Sequence, residues 1–156
     1  KIVDGAVTSA KLASGTGGKV LQVITATDST GRSTTSTSFV TGSNTMSVNI
    51  TPSSTSSKIY INVTGNIYQA TAAKYAVATI KRGSTDLGAA NNKGLTNIYT
   101  SSSGDGGDSL SLSVLDSPSS TSQITYQVYF SSPSGGTAVL NENGTKGVIT
   151  AFEVGA

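Results

Sequence analysis

The chain has 156 residues, with 10 Lys plus Arg against 8 Asp plus Glu, and neither histidine nor cysteine. A net charge of +2 on a chain only 12% charged leaves no basic stripe to neutralise phosphates, which argues against nucleic-acid binding. The missing residue types exclude Ser-His-Asp and Cys-His catalysis, thiolate or imidazole zinc sites, disulfides, and haem held by either residue. No apolar run approaches the roughly 18 residues of a membrane span, so no membrane insertion is expected.

Serine and threonine together make 49 residues, while Leu, Ile, Val and Phe make only 34. So low an apolar content suits disorder only when net charge is high, and here it is not. A β-protein with polar outer faces and many turns fits better.

Residues 1–18 read as a connector rather than a domain. The chain begins at Lys1 without a methionine, as a piece of a longer protein would. Asp4-Gly5 signals a turn, and Thr8 is placed to cap a short helical turn over Ala10–Ala13. Val3, Val7 and Ala10 form a thin apolar stripe, which needs other copies of itself to be buried. Ser14-Gly15-Thr16-Gly17-Gly18 is a flexible joint. The head domain is expected over 19–156.

Strand alternation dominates the remainder. The stretch 19–27 sets Val20, Ile24 and Ala26 against Leu21 and Val23. At the other end, 147–154 sets Val148, Phe152 and Val154 against Ile149 and Ala151. Both faces of both stretches are apolar, so one face of each is expected at a contact between subunits. Leu21, Val23, Ile149 and Ala151 are the expected interface residues, with Val3 and Val7 in the connector. Between these stretches, half-buried strands are predicted by Met46/Val48/Ile50, Ile59/Ile61/Val63, Leu110/Leu112/Val114 and Ile124/Tyr126/Val128/Phe130. The alanine-rich 74–82 stretch has helix propensity but also alternates, and reads as a strand. The Ser/Thr-rich 29–38 run allows a polar strand. Turns are expected at Gly42-Ser43-Asn44, Pro52-Ser53-Ser54, Pro118-Ser119-Ser120 and Pro133–Gly136, and a hairpin turn at Asn143-Gly144. Many short strands so punctuated predict an all-β sandwich or jelly roll.

The sequence also resembles a family. Residues 2–13, Ile-Val-Asp-Gly-Ala-Val-Thr-Ser-Ala-Lys-Leu-Ala, are similar to the short connector repeated along bacteriophage tail-fibre shafts. Lys19-Val20-Leu21-Gln22-Val23 resembles the start of C-terminal tail-fibre domains of marine and cyanobacterial phages. The runs 50–59, 80–85 and 149–154 are similar too. The resemblance implies a homotrimeric jelly-roll head of the tumour-necrosis-factor type, with the first and last strands in an inner sheet beside the threefold axis. It further implies a place at the distal end of a virion's tail fibre. The head would join the rest of the fibre through its N-terminus and attach to a bacterial polysaccharide or outer-membrane protein. The alternative is a trimerisation cap with no ligand of its own. Only one connector copy is present, where shafts carry several.

Three constellations carry possible chemistry. Asp105 and Asp108 sit in a glycine-rich loop, but the alternating acidic pattern of a calcium loop is missing, so no metal or other cofactor is expected. Carboxylate pairs among Asp86, Asp105, Asp108, Asp116 and Glu142 suit glycoside cleavage only with a sugar groove, and tryptophan is absent; no enzyme is expected. Recognition is the better reading: sugars stack on tyrosine, and amides and carboxylates take their hydroxyls. The 83–108 segment has the weakest strand character, and such loops carry binding. The candidate receptor-binding residues are Tyr68, Tyr75, Asn91, Asn92, Lys93, Asn97, Tyr99, Asp105 and Asp108.

Overall fold

The computed structural model describes residues 19–155 as eleven strands in two antiparallel sheets. In chain order these are β1 (Val20–Asp28), β2 (Arg32–Thr34), β3 (Ser47–Ile50), β4 (Lys58–Gln69), β5 (Tyr75–Arg82) and β6 (Thr85–Asp86). Then come β7 (Thr96–Tyr99), β8 (Gly106–Asp116), β9 (Ile124–Ser131), β10 (Ala138–Leu140) and β11 (Gly147–Val154). One sheet runs β1-β11-β4-β8, with β10 and β2 continuing it beside the far half of β4. The other runs β3-β9-β5-β7, with β6 also on β5. The main strands β1, β3, β4, β5, β7, β8, β9 and β11 thus cross between sheets in the order of a jelly roll, the first paired with the last. The expected all-β jelly-roll sandwich is observed. The connector, with Val3 and Val7, lies outside the described residues.

The core lies between the sheets. Ile59, Ile61, Val63 and Ile67 of β4 face Ala76, Ala78 and Ile80 of β5 and Tyr126, Val128 and Phe130 of β9. The alternating faces of β3, β4, β8 and β9 point as the sequence predicts. The 74–82 stretch is a strand, and its outer face is covered as well: Val77 and Thr79 are buried beneath the 83–95 segment.

Three expectations require correction. Ile149 and Ala151 are 0% exposed and belong to the core, so they contribute nothing to an outer contact. β11 turns its Val148, Thr150, Phe152 and Val154 side outward instead. The reason lies in Gly147 and Glu153, which share the inner parity. A Cβ on Gly147 would come within 2.5 Å of Met46 Sδ, and Glu153 is fully bonded inside. Secondly, a bulge between Val20 and Gln22 rotates Val20 away from Ile24 and Ala26, onto the outer face. Thirdly, Asn143-Gly144 is no hairpin turn. It lies in a 3₁₀ turn joining β10 to β11, which both pair with β4 and not with each other.

Leu21 and Val23 are exposed as expected, at 52% and 54%. On the outer face of the β1 sheet, one row of partners crosses all four strands: Val23, Phe152, Tyr60 and Leu115. Val20 and Val154 extend it, enclosing an apolar hollow. The next row is Thr25, Thr150, Asn62 and Ser113, already polar. The apolar patch is therefore confined to the pole where the chain enters at Lys19 and leaves at Gly155; those two residues are joined by a 2.7 Å hydrogen bond.

Glu153 closes that pole. Gln22 Nε2 donates to its carboxylate at 2.6 Å, and the Ser53 amide and hydroxyl donate at 2.7 and 2.6 Å. Burial disfavours the charge, yet the hydrogen bonds from Gln22 and Ser53 outweigh it and hold the carboxyl at about 2 rather than its ordinary 4.5. A carboxyl depressed in the folded state stabilises fully above its unfolded value and progressively less as pH falls through the folded one. The melting temperature should therefore fall as pH drops from 4.5 towards 2. Glu153→Gln should melt lower at neutral pH and show a flatter acid limb. Parallel acid limbs in the two proteins would remove Glu153 as the cause.

Candidate functional site

The opposite pole is built from four connections: 29–46, 70–74, 100–105 and 132–137. They are bonded to one another. The Ala70 amide donates to Thr137 O (2.8 Å), Ala73 to Ser101 O (2.9 Å) and Ser132 to Ser36 O (2.8 Å). Gln69, buried at the end of β4, acts as the hub. Its Nε2 donates to Tyr75 O (2.7 Å) and Ser132 Oγ (3.0 Å), and its Oε1 accepts the Thr71 amide (3.0 Å). Buried polar groups satisfied in this way hold loops in one arrangement.

On this framework β5 and β7 place an aromatic pair. Tyr75 and Tyr99 are cross-strand partners, with ring centroids 4.7 Å apart and planes tilted by 47°. Both rings remain substantially exposed. The Tyr75 amide donates to Ser134 Oγ at 2.9 Å, which fixes the base of the ridge.

The 83–95 segment supplies a wall. It folds back over β5, with Leu87 and Leu95 packed on the core and their amides bonded to Ile80 O and Ala78 O. Gly88 and Gly94 let its two limbs touch. A Cβ on Gly94, whose φ is +60°, would sit 2.5 Å from Ala78 O. Asn91 and Asn92 form the tip, both with left-handed backbones that asparagine tolerates.

Two clefts result. The first, about 360 Å³, is lined by Tyr75, Val77, Asn91, Asn92, Lys93, Asn97, Pro133 and Ser134. The second, about 340 Å³, is lined by 97–101 and 105–108, with Tyr99, Asp105 and Asp108 among them. Asn97 belongs to both. Both volumes lie within the range of small-ligand sites. Eight of the nine candidate recognition residues thus converge on adjoining clefts. The side chains of Asn91, Asn92, Lys93 and Asn97 have no hydrogen-bond partner among the described residues, which leaves their donors and acceptors available.

Tyr68 is the ninth, and it lines neither cleft. It projects from the outer face of the other sheet, over Gly107, where a Cβ would lie 2.9 Å from the ring. The nearby Asp105 carboxylate, with desolvation behind it, pushes the Tyr68 phenol up to about 12. Tyr68 is the cross-strand partner of Gly107 and covers the start of β8 from outside.

Two further carboxylates, Asp86 and Asp116, are occupied elsewhere. Asp86 accepts the Thr79 hydroxyl at 2.6 Å. Asp116 accepts Arg82 at 2.9 Å and the Tyr126 hydroxyl at 2.6 Å. Among the described residues no three acidic side chains converge to hold a cation. The supporting residues Gln69, Thr71, Thr100 and Ser132 carried no signal in the sequence, because their role depends on loops distant along the chain.

No family model matches the chain, and no curated relative does. Among solved structures it is similar to the VP2 subviral particle of infectious bursal disease virus, at 16% identity and a TM-score of 0.39, covering 86% of this chain and 37% of that one. It is also similar to a point mutant of the same VP2 in T=1 particles, at 13% identity and a TM-score of 0.37, covering 88% and 37%. The chain spans little more than a third of the length of either.

Proposed function

We propose that this chain is the receptor-binding head of a bacteriophage tail fibre, a non-catalytic homotrimer that attaches the virion to a bacterial surface polysaccharide or outer-membrane protein. The observation that carries the reading is polarity. The clefts with their exposed tyrosines and unengaged amides lie at one pole, and the chain enters and leaves at the other. The twelve residues of β4 separate these poles by roughly 40 Å. A head held at the Lys19 pole presents its clefts outward. The apolar row beside Lys19 supports assembly with further copies around the fibre axis. Three clefted heads on one axis would multiply a weak single-site affinity through avidity.

The test is adsorption to host cells. Tyr75→Ala and Tyr99→Ala heads, matched with the parent for mass and melting temperature, should each lose about 1–3 kcal/mol of single-site binding. Cell attachment should fall further, because avidity amplifies the loss. Full adsorption by both variants would favour the alternative, a trimerisation cap without a ligand.

A further inference from the structure

The two clefts have opposite charge. The first carries Lys93 and no carboxylate in its lining. The Lys74 ammonium adds a second positive charge at its rim, where Nζ donates to Ser134 O at 2.8 Å. The second carries Asp105 and Asp108 and no cation. The Tyr75–Tyr99 ridge runs between them, one ring lining each side, and the Asn97 amide serves both.

From this we infer that the ligand is an anionic saccharide of fixed polarity. An acidic sugar unit occupies the first cleft, and a neutral or amino sugar unit occupies the second. The inference rests on the receptor-binding reading and specifies its ligand. The reasoning is chemical. A pyranose ring offers an apolar C–H face to Tyr75 and equatorial hydroxyls to Asn91, Asn92 and Asn97. An anion on that ring meets Lys93, an ammonium with no carboxylate partner among the described residues to compete for it. Asp105 and Asp108 accept hydroxyl or ammonium protons from the adjoining unit. They repel a second anion there, so a polymer acidic at every residue is disfavoured. The Asn91-Asn92 tip is already fixed by Leu87, Leu95 and the Gly88–Gly94 contact, so little ordering cost falls on binding.

The shared chemistry is an anion on a sugar, and the carboxylate, phosphate or sulfate forms are the arms of the test. The trimeric head would be titrated with oligosaccharides of matched length in which one unit is a uronic acid, a sugar phosphate, a sugar sulfate or the neutral sugar. The expected result is a preference of roughly tenfold for at least one acidic form over its neutral counterpart at low salt, shrinking in high salt. Lys93→Gln should abolish that preference and Lys93→Arg should keep it. Tyr75→Ala should weaken acidic and neutral forms alike. Three results overturn the inference. If acidic and neutral forms bind equally while Tyr75→Ala weakens both, the polarity is wrong and the receptor reading stands. If no saccharide binds but Tyr75→Ala abolishes cell adsorption, the receptor is a protein. If no saccharide binds and the Tyr75→Ala and Tyr99→Ala heads adsorb normally, the clefts are not the receptor site.

Discussion

Truncating Phe130 to alanine is expected to lower the free energy of unfolding by about 3–5 kcal/mol, the range for a buried aromatic. Phe130 is fully buried between the sheets, near the end of β9. Its backbone exchanges two hydrogen bonds with Val40, at 2.9 and 3.1 Å. Its ring lies against the turn at Gly42, where even a Cβ would come within 2.6 Å of the ring edge. That turn is rigid: Gly42 and Ser43 both have left-handed backbones, and the Asn44 amide closes it on Thr41 O. Walls of this kind do not collapse into a cavity, which places the cost in the upper part of the range. A denaturant titration would show it as a lower midpoint with unchanged slope. A loss below about 1 kcal/mol would mean that the turn follows the missing ring.

The same turn shows what was legible in the sequence. Gly42-Ser43-Asn44 announces itself, because a two-residue left-handed turn needs such residues. So do the faces of β3, β4, β8 and β9, where large aliphatic residues alternate with serine, threonine and asparagine, leaving one face fit for water. β11 was not legible in this way. A period of two divides Gly147–Val154 into two sets without saying which is inside, and both sets are apolar. The charged Glu153 marks its own set as outward, but Gln22 and Ser53, 131 and 100 residues away, satisfy it within. A pattern read along the chain has no access to such partners. The bulge at Val20 is hidden for a similar reason: it exists only relative to the paired strand.

The candidate site was legible as composition and hidden as geometry. Tyrosines, asparagines and a lysine in a segment of weak strand character pointed to Gly83–Asp108. The sequence did not show that Thr96–Tyr99 pairs with Tyr75–Ala78, which sets the two tyrosines side by side. Nor did it show that Tyr68 pairs with Gly107 at the start of β8, on the outer face of the other sheet.

Substituting aspartate for Phe152 is expected to convert the proposed trimer into a folded monomer. Phe152 lies in the middle of the apolar row, between Val23 and Tyr60, with its ring 6.0 Å from that of Tyr60. In the separated chain it is partly exposed, so a carboxylate there stays hydrated and the sandwich keeps its melting temperature within a few degrees. In the assembly the same carboxylate is dehydrated in every subunit without a partner, at a cost of several kcal/mol each. Sedimentation at micromolar concentration should give about three times 15.6 kDa for the parent and 15.6 kDa for the variant. Ile149→Asp supplies the contrast. One residue-parity away, it buries its charge inside the subunit, and circular dichroism should show lost folding rather than lost assembly. If Phe152→Asp remains trimeric, the copies meet elsewhere, and the row beside Lys19 must be covered by something other than its own kind.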